Sequence, residues 1–239
     1  MKKFIGLMIL ALLIFSSPSF ALRLLVTDDF EILDYGSNQW ELAHISTTPK
    51  SGNSTRVVSD FIKRGVLPGI ELGIEAPVYY DLPSANNGVG DAYVHAKFQI
   101  LGSNAGGVSG RLDMKLANGS VNAGLGTGYQ DYGLVLIGTK KEGNLLSHIN
   151  IGYISVGVAA GAASANVFNL LLASEKTVNS FLSLYGETSW SNNSAVDLFS
   201  LSFGGKFYYL SNVLFNAIGT VGLNNNTENS AIIGMTLGF

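Results

Sequence analysis

From residue 38 onward, apolar and polar residues alternate with a period of two, in segments of about ten residues broken by Gly, Asn and Ser clusters. In the clearest segment, Ala92, Val94, Ala96, Phe98 and Ile100 interleave with Asp91, Tyr93, His95, Lys97 and Gln99. The next repeats the pattern, with Val108, Gly110, Leu112, Met114 and Leu116 set against Ser109, Arg111, Asp113 and Lys115. Before them, Ile70, Leu72, Ile74, Ala76 and Val78 alternate with Glu71, Gly73 and Glu75. Successive side chains of a strand point to opposite faces, so each segment predicts a strand with one apolar and one polar face. Twelve strands are predicted: 38–48, 55–64, 69–79, 90–101, 107–116, 129–139, 145–157, 166–175, 179–190, 196–207, 213–222 and 229–239. Two carry the pattern poorly. Arg56 to Arg64 shows no clean face, and Val167 to Ala173 is nearly all apolar. The connections are short and turn-like.

A strand tilted by roughly 45° crosses a bilayer in about 9–11 residues, the length of these segments. Alternation alone does not say which face looks outward, since a soluble sandwich or lipocalin-like barrel alternates equally well. Composition separates them. The 239 residues are 47% hydrophobic and 13% charged, whereas a soluble domain is about 25% charged. That leaves too few ionised groups to cover a water-facing surface, while the chain is too apolar for disorder. The long apolar run, Phe4 to Phe15, falls short of the roughly 20 residues a membrane helix needs. The last segment, Ala231, Ile233, Met235, Leu237 and Phe239, is an apolar-alternating strand closing on an aromatic. A terminal Phe239 of this kind resembles the signal read by the outer-membrane assembly machinery. The expected fold is therefore all-β: a transmembrane antiparallel up-and-down β-barrel of about 12 strands over 38–239, set in the outer-membrane lipid of a Gram-negative cell. An even strand count places both termini in the periplasm.

The first residues read separately. Lys2 and Lys3, the apolar run, and the small residues Ser19 and Ala21 predict an export signal peptide over 1–21, cleaved after Ala21. Residues 22–37 then form a periplasmic or plug segment ahead of the barrel. The chain has no cysteine, which excludes disulfides, thiolate metal sites and lipoprotein acylation. A net charge of −3 without a basic cluster argues against nucleic-acid partners.

Little in the chain points to catalysis. Gly88-Val-Gly-Asp91 precedes a strand rather than a helix, so it offers no helix N-terminus to a phosphate. His44, His95 and His148 lie on different strands with no spacing that joins them to carboxylates or a serine. No metal, no cofactor, no catalytic residue and no enzyme activity is expected. The polar faces are more informative. Glu71 and Glu75, then His95 and Lys97, then Arg111, Asp113 and Lys115 fall on three successive strands, with Glu187 and Lys206 on later ones. Opposite signs on neighbouring strands favour cross-strand pairs. These residues are expected to line the lumen, and charges of both signs imply no strong ion preference. A barrel of this size has a backbone radius of roughly 12 Å and an opening of about 10 Å or less, which suits a small solute. In the 22–37 segment, Asp28, Asp29, Glu31 and Asp34 are expected to fold inward as a plug and pair with Lys97, Arg111 and Lys115. Two functions follow: passive uptake of a small-molecule solute, or a structural or surface-interaction barrel with a sealed lumen.

Several stretches resemble one outer-membrane family. They are Thr27-Asp-Asp-Phe-Glu-Ile-Leu-Asp-Tyr-Gly36 leading into Trp40-Glu-Leu42, Gly88-Val-Gly-Asp91 opening the strand to Leu101, Ile149-Asn-Ile-Gly-Tyr153, and Tyr185-Gly-Glu-Thr188. The family is named for a meta-pathway of phenol degradation and grouped with transporter-like barrels. It tends to have a Pro-Thr-Gly turn after the fifth strand, where this chain has Ala117-Asn-Gly119. The resemblance implies an envelope barrel that admits aromatic or other hydrophobic small molecules, and no catalytic residues.

Overall fold

In the computed structural model, which describes residues 27–49, 54–80, 87–159, 166–192 and 196–239, twelve long strands close into one antiparallel barrel. The signal peptide expected over 1–21 lies outside the described residues, as do residues 22–26 of the segment after it. The strands are β1 Asn38–Thr48, β2 Thr55–Leu67, β3 Ile70–Tyr79, β4 Tyr93–Ser103, β5 Gly106–Lys115, β6 Asp131–Glu142, β7 Leu145–Ser155, β8 Val167–Asn179, β9 Leu182–Asn192, β10 Asp197–Leu210, β11 Val213–Gly222 and β12 Asn229–Gly238. A two-residue stretch, Gly88–Val89, extends the ladder of β3 just before β4. Each strand pairs with the next, and β12 returns to β1 with Trp40 opposite Leu237, so no edge stays open.

Carried round the barrel, the pairing registers return to β1 displaced by about 14 residues, a stagger that goes with strands tilted by roughly 40° and a backbone radius near ~11 Å. At one end, where Asn38 and Phe239 lie joined by two backbone hydrogen bonds, the connections are tight; we call it the turn end. Glycine is required in several of them, as two cases show. Gly143 has φ 61° and Gly106 φ 121°, where a Cβ would also lie 2.1 Å from the Thr139 carbonyl oxygen. The opposite, loop end holds the longer connections.

Burial decides which face looks out. Leu72, Ile74, Leu134, Leu136, Ile149, Ile151, Phe203 and Ile233 are exposed, whereas Gln39, Lys63, Lys97, Asn150, Ser202 and Thr236 are buried. Water-facing proteins show the reverse arrangement. The outer wall suits hydrocarbon and the inner wall suits charge. Aromatic rings gather on the outside near both ends. Trp190 meets Phe168 and Phe199 toward the loop end, while Phe181 meets Phe207 and Tyr209 meets Phe215 toward the turn end. Part of the interior is apolar too. Tyr185, Ile218, Leu214, Ala43 and Ile232 pack together inside β9–β12 and β1. Gly204 leaves room for Tyr185, since a Cβ there would lie 2.3 Å from the phenol oxygen.

The two strands without a clear face have physical explanations. On β2, Phe61 points inward and meets the His95 ring edge-on with centroids 5.0 Å apart. It fits because Gly73 opposite has no side chain; a Cβ would lie 2.6 Å from the Phe61 ring. On β8, Leu171 and Ala173 face a luminal apolar patch while Leu172 faces outward, so both faces are apolar.

Candidate functional site

The segment 27–37 enters the barrel from the turn end and crosses it as a strap. At its foot, Gly36 N–H donates to the Gly65 carbonyl of β2 (2.8 Å) and Gly65 N–H donates to the Ser37 carbonyl (3.0 Å). Gly65 makes this approach possible, because a Cβ would lie 2.1 Å from the Asp34 carbonyl oxygen. Further in, the Leu33 N–H donates to Glu71 Oε2 on β3 (2.9 Å) and Phe30 N–H to Thr139 Oγ1 on β6 (3.1 Å). Asn150 on β7 holds Asp28 by both backbone groups, at 2.6 and 2.8 Å. The strap then reaches β9, where Thr27 N–H donates to Glu187 Oε2 (2.7 Å).

The Asp28 carboxylate is the strap's electrostatic anchor. It accepts from Arg111 Nη1 at 2.6 Å and Lys97 Nζ at 3.2 Å, and all three side chains are buried. Asp29 stands 3.8 Å from Lys97. The other two acids expected to join them do not. Glu31 offers its backbone carbonyl to Lys97 (2.7 Å), while its side chain and that of Asp34 lie exposed near the turn end. The strap backbone stays bonded to the wall through Glu31 and Leu33, but the side chains of Glu31 and Asp34 turn away from it. Lys115 is not a strap partner either. It pairs with Asp131 at 2.7 Å and donates to Thr127 Oγ1 at 2.8 Å, toward the loop end.

The wall around the strap is a network of buried pairs. Glu71, Glu75, His95, Lys97, Arg111, Asp113, Lys115, Glu187 and Lys206 all point inward. His95 Nδ1 lies 2.6 Å from Asp113 Oδ1, and Arg111 Nε lies 2.8 Å from the same oxygen. Besides Asp131, three partners have no counterpart among the residues singled out from the sequence. Lys63 and Glu41 pair at 2.5 Å, and Glu175 pairs with Lys206 at 2.5 Å. Lys63 and Glu41 sit on β2 and β1, where alternation of charge is weakest; Glu175 lies at the end of the apolar β8 run. Counting inward groups among the described residues, Asp28, Asp29, Glu41, Glu71, Glu75, Asp91, Asp113, Asp131, Glu175 and Glu187 outnumber Lys63, Lys97, Arg111, Lys115 and Lys206. Charges of both signs line the lumen, with acids in excess.

Of the histidines, His95 and His148 face inward, the latter with Nδ1 2.9 Å from Thr139 Oγ1. His44 is on the outer face of β1. Among the described residues no three His, Asp or Glu side chains are grouped to hold a metal ion.

The Gly88-Val-Gly-Asp91 motif has a mechanical role. Asp91 accepts from the backbone N–H of Gly119 (2.7 Å) and of Thr127 (3.0 Å), clasping the β5–β6 loop at the barrel mouth. Asn118 Oδ1 in turn accepts from the Ala92 N–H (2.8 Å). Replacing Asp91 by Ala should free this loop, read as at least severalfold faster protease cleavage between residues 117 and 130 of the folded barrel. An unchanged rate would show that the clasp does not hold the loop.

Between this loop and the strap lies a cavity of about 330 Å³. Its lining runs from Tyr93, His95, Arg111, Asp113, Lys115 and Asp131 to Val135, Ile154 and Leu171, with Asn150, Asn169, Ser189 and Ser191 among the apolar groups. The arrangement is amphiphilic and large enough for a small organic molecule.

No family model matches this chain, and no curated protein matches it in sequence. Solved structures do. A KdgM porin is 9% identical with a TM-score of 0.64, the match covering 84% of this chain and 99% of that one. A NanC porin is 13% identical with a TM-score of 0.63, covering 83% and 98%. The COG4313 outer membrane channel from Pseudomonas putida F1 is 11% identical with a TM-score of 0.69, covering 88% and 98%. At these identities the likeness is one of fold: this chain is a closed antiparallel β-barrel of the architecture found in outer-membrane porins and channels.

Proposed function

We propose that the protein is an outer-membrane channel for the passive entry of small molecules. The observation that carries this reading is the amphiphilic cavity toward the loop end, whose Arg111 and Asn150 also hold the strap through hydrogen bonds and an ion pair. A barrel filled only for rigidity would gain more from apolar packing, since buried ion pairs are weak contributors to stability. The outer-membrane setting is supported by the apolar outer wall and by the fold of the neighbours. A small aromatic molecule, the solute class implied by the sequence resemblance, would lay its ring against Val135, Ile154 and Leu171 and turn its polar group to the charged residues. A KdgM porin has been solved in complex with disordered oligogalacturonate. That is a polyanion, and the acid-rich lumen here disfavours it.

Refolded protein in planar bilayers should give discrete conductance steps. Silence both with and without residues 22–37 would leave the alternative, a sealed barrel with a structural or surface role, which the strap's many anchors favour. The acid excess adds a second expected outcome. In a potassium chloride gradient the reversal potential should lie on the potassium side of zero, because fixed carboxylates concentrate cations in a narrow low-dielectric path. A reversal potential on the chloride side would show that the wall's acids are neutralised where ions pass.

A further inference from the structure

Among the described residues, β1 and β2 carry a polar seam on the outer wall. On β1, Trp40, Leu42 and His44 point outward, since Gln39, Glu41 and Ala43 between them are buried inside. On β2, Arg56, Asp60, Ile62 and Arg64 point outward, since Ser59, Phe61 and Lys63 are buried inside. Asp60 is near the middle of β2, opposite Leu42 on β1 and Ala76 on β3. It therefore faces the centre of the apolar band. Other charged outward side chains of the described residues lie toward the strand ends, Lys140 and Lys176 at the turn end and Asp197 at the loop end. Asp60 accepts one hydrogen bond, from Trp40 Nε1 at 2.5 Å, and His44 Nε2 meets the Tyr80 hydroxyl. The two groups are thus held in fixed positions on a surface where hydrocarbon offers neither a donor nor a counter-charge.

We propose that this seam is the docking surface for a second copy of the chain, with β1 and β2 of one barrel against β1 and β2 of the other. Copies inserted by the same route share one orientation, so a two-fold axis between them runs along the membrane normal and keeps every residue at its own depth. His44 lies opposite Val58 and Asp60 opposite Leu42, one outward position apart along the β1–β2 ladder. A two-fold pairing therefore brings the imidazole of each copy to the carboxylate of the other at nearly equal depth. The contact is self-complementary and forms twice. Ala76, beside Asp60 on β3, adds no bulk against the approach. A lipid phosphate would engage Arg56 near the loop end and leave Asp60 facing hydrocarbon, so it does not answer the same need.

The chain has no cysteine, so single-cysteine variants report the contact cleanly. Under oxidation in membranes, Leu42→Cys should yield a disulfide-linked dimer, whereas Leu172→Cys, outward on β8, should not. Adding Asp60→Leu to Leu42→Cys should cut the dimer yield severalfold. Unaltered protein in density-matched detergent should sediment with twice the mass of one chain, which tests the proposal even where a variant fails to fold. A monomer mass, equal crosslinking at positions 42 and 172, or a yield untouched by Asp60→Leu would overturn it.

Discussion

Deleting residues 24–36 should raise single-channel conductance severalfold. The strap runs from Gly65 on β2 to Glu187 on β9 and so lies across the lumen, not along one wall. In a barrel with a backbone radius near ~11 Å, inward side chains already fill much of the section, and an extended segment takes most of what remains. Two point variants should reproduce part of the effect from opposite ends. Asp28→Ala leaves Lys97 and Arg111 buried without their strap carboxylate, and breaking a buried pair by removing one partner costs about 3–5 kcal/mol. Gly65→Val fills the space in which the Asp34 carbonyl sits and should lift the foot of the strap while leaving every charge in place. Current traces of either variant should show frequent transitions to the conductance of the deletion. Conductance unchanged by the deletion itself would mean that the strap does not lie in the ion path.

Lys206→Met should destabilise the barrel by about 3–5 kcal/mol, because it strands the Glu175 carboxylate in the lumen. Glu175 would keep only the Tyr208 hydroxyl at 3.4 Å. The double variant Glu175→Leu, Lys206→Met should lie close to the original protein, since apolar side chains can replace a buried ion pair at little net cost. Urea unfolding in lipid vesicles measures both. A double variant as unstable as the single would show that Lys206 stabilises through something besides Glu175, for which the Tyr185 ring, 6.0 Å from its ammonium, is the nearest candidate.

Strand positions were legible because a barrel wall separates two solvents. Every residue must suit either lipid or lumen, so a strand such as β4 writes its geometry into alternate letters. β1 and β11 occupy the ranges expected from alternation, 38–48 and 213–222. The signal fades where the separation does. On β2, Lys63 faces the lumen and Arg64 the outer wall, so charge marks neither face. On β8, Leu171 turns to an apolar part of the lumen, so hydrophobicity marks neither.

The candidate site was legible only within neighbouring strands. His95 and Asp113, or Lys97 and Arg111, are cross-strand partners by register, and register follows from alternation. The strap obeys no such rule. Asp28 meets Lys97 and Arg111 from 69 and 83 residues away, and an isolated acidic stretch looks the same whether its carboxylates dock or stay in water. Which of four acids would dock depended on which side chains of the strap turn toward the charged wall. The outward His44 and Asp60 were hidden for a similar reason, since the face each occupies is known only from the burial of its neighbours.

By itself, the sequence determined the closed all-β wall, its strand count and its apolar exterior, because local alternation and a low charge content suffice for these. Only the tertiary structure decided that the lumen is crossed by a strap, that its walls are acid-rich, and that one seam of the exterior is polar. Those properties arise from groups far apart in the chain meeting across the barrel or sharing one face of it, and pairwise distance in space leaves no periodic trace in the order of residues.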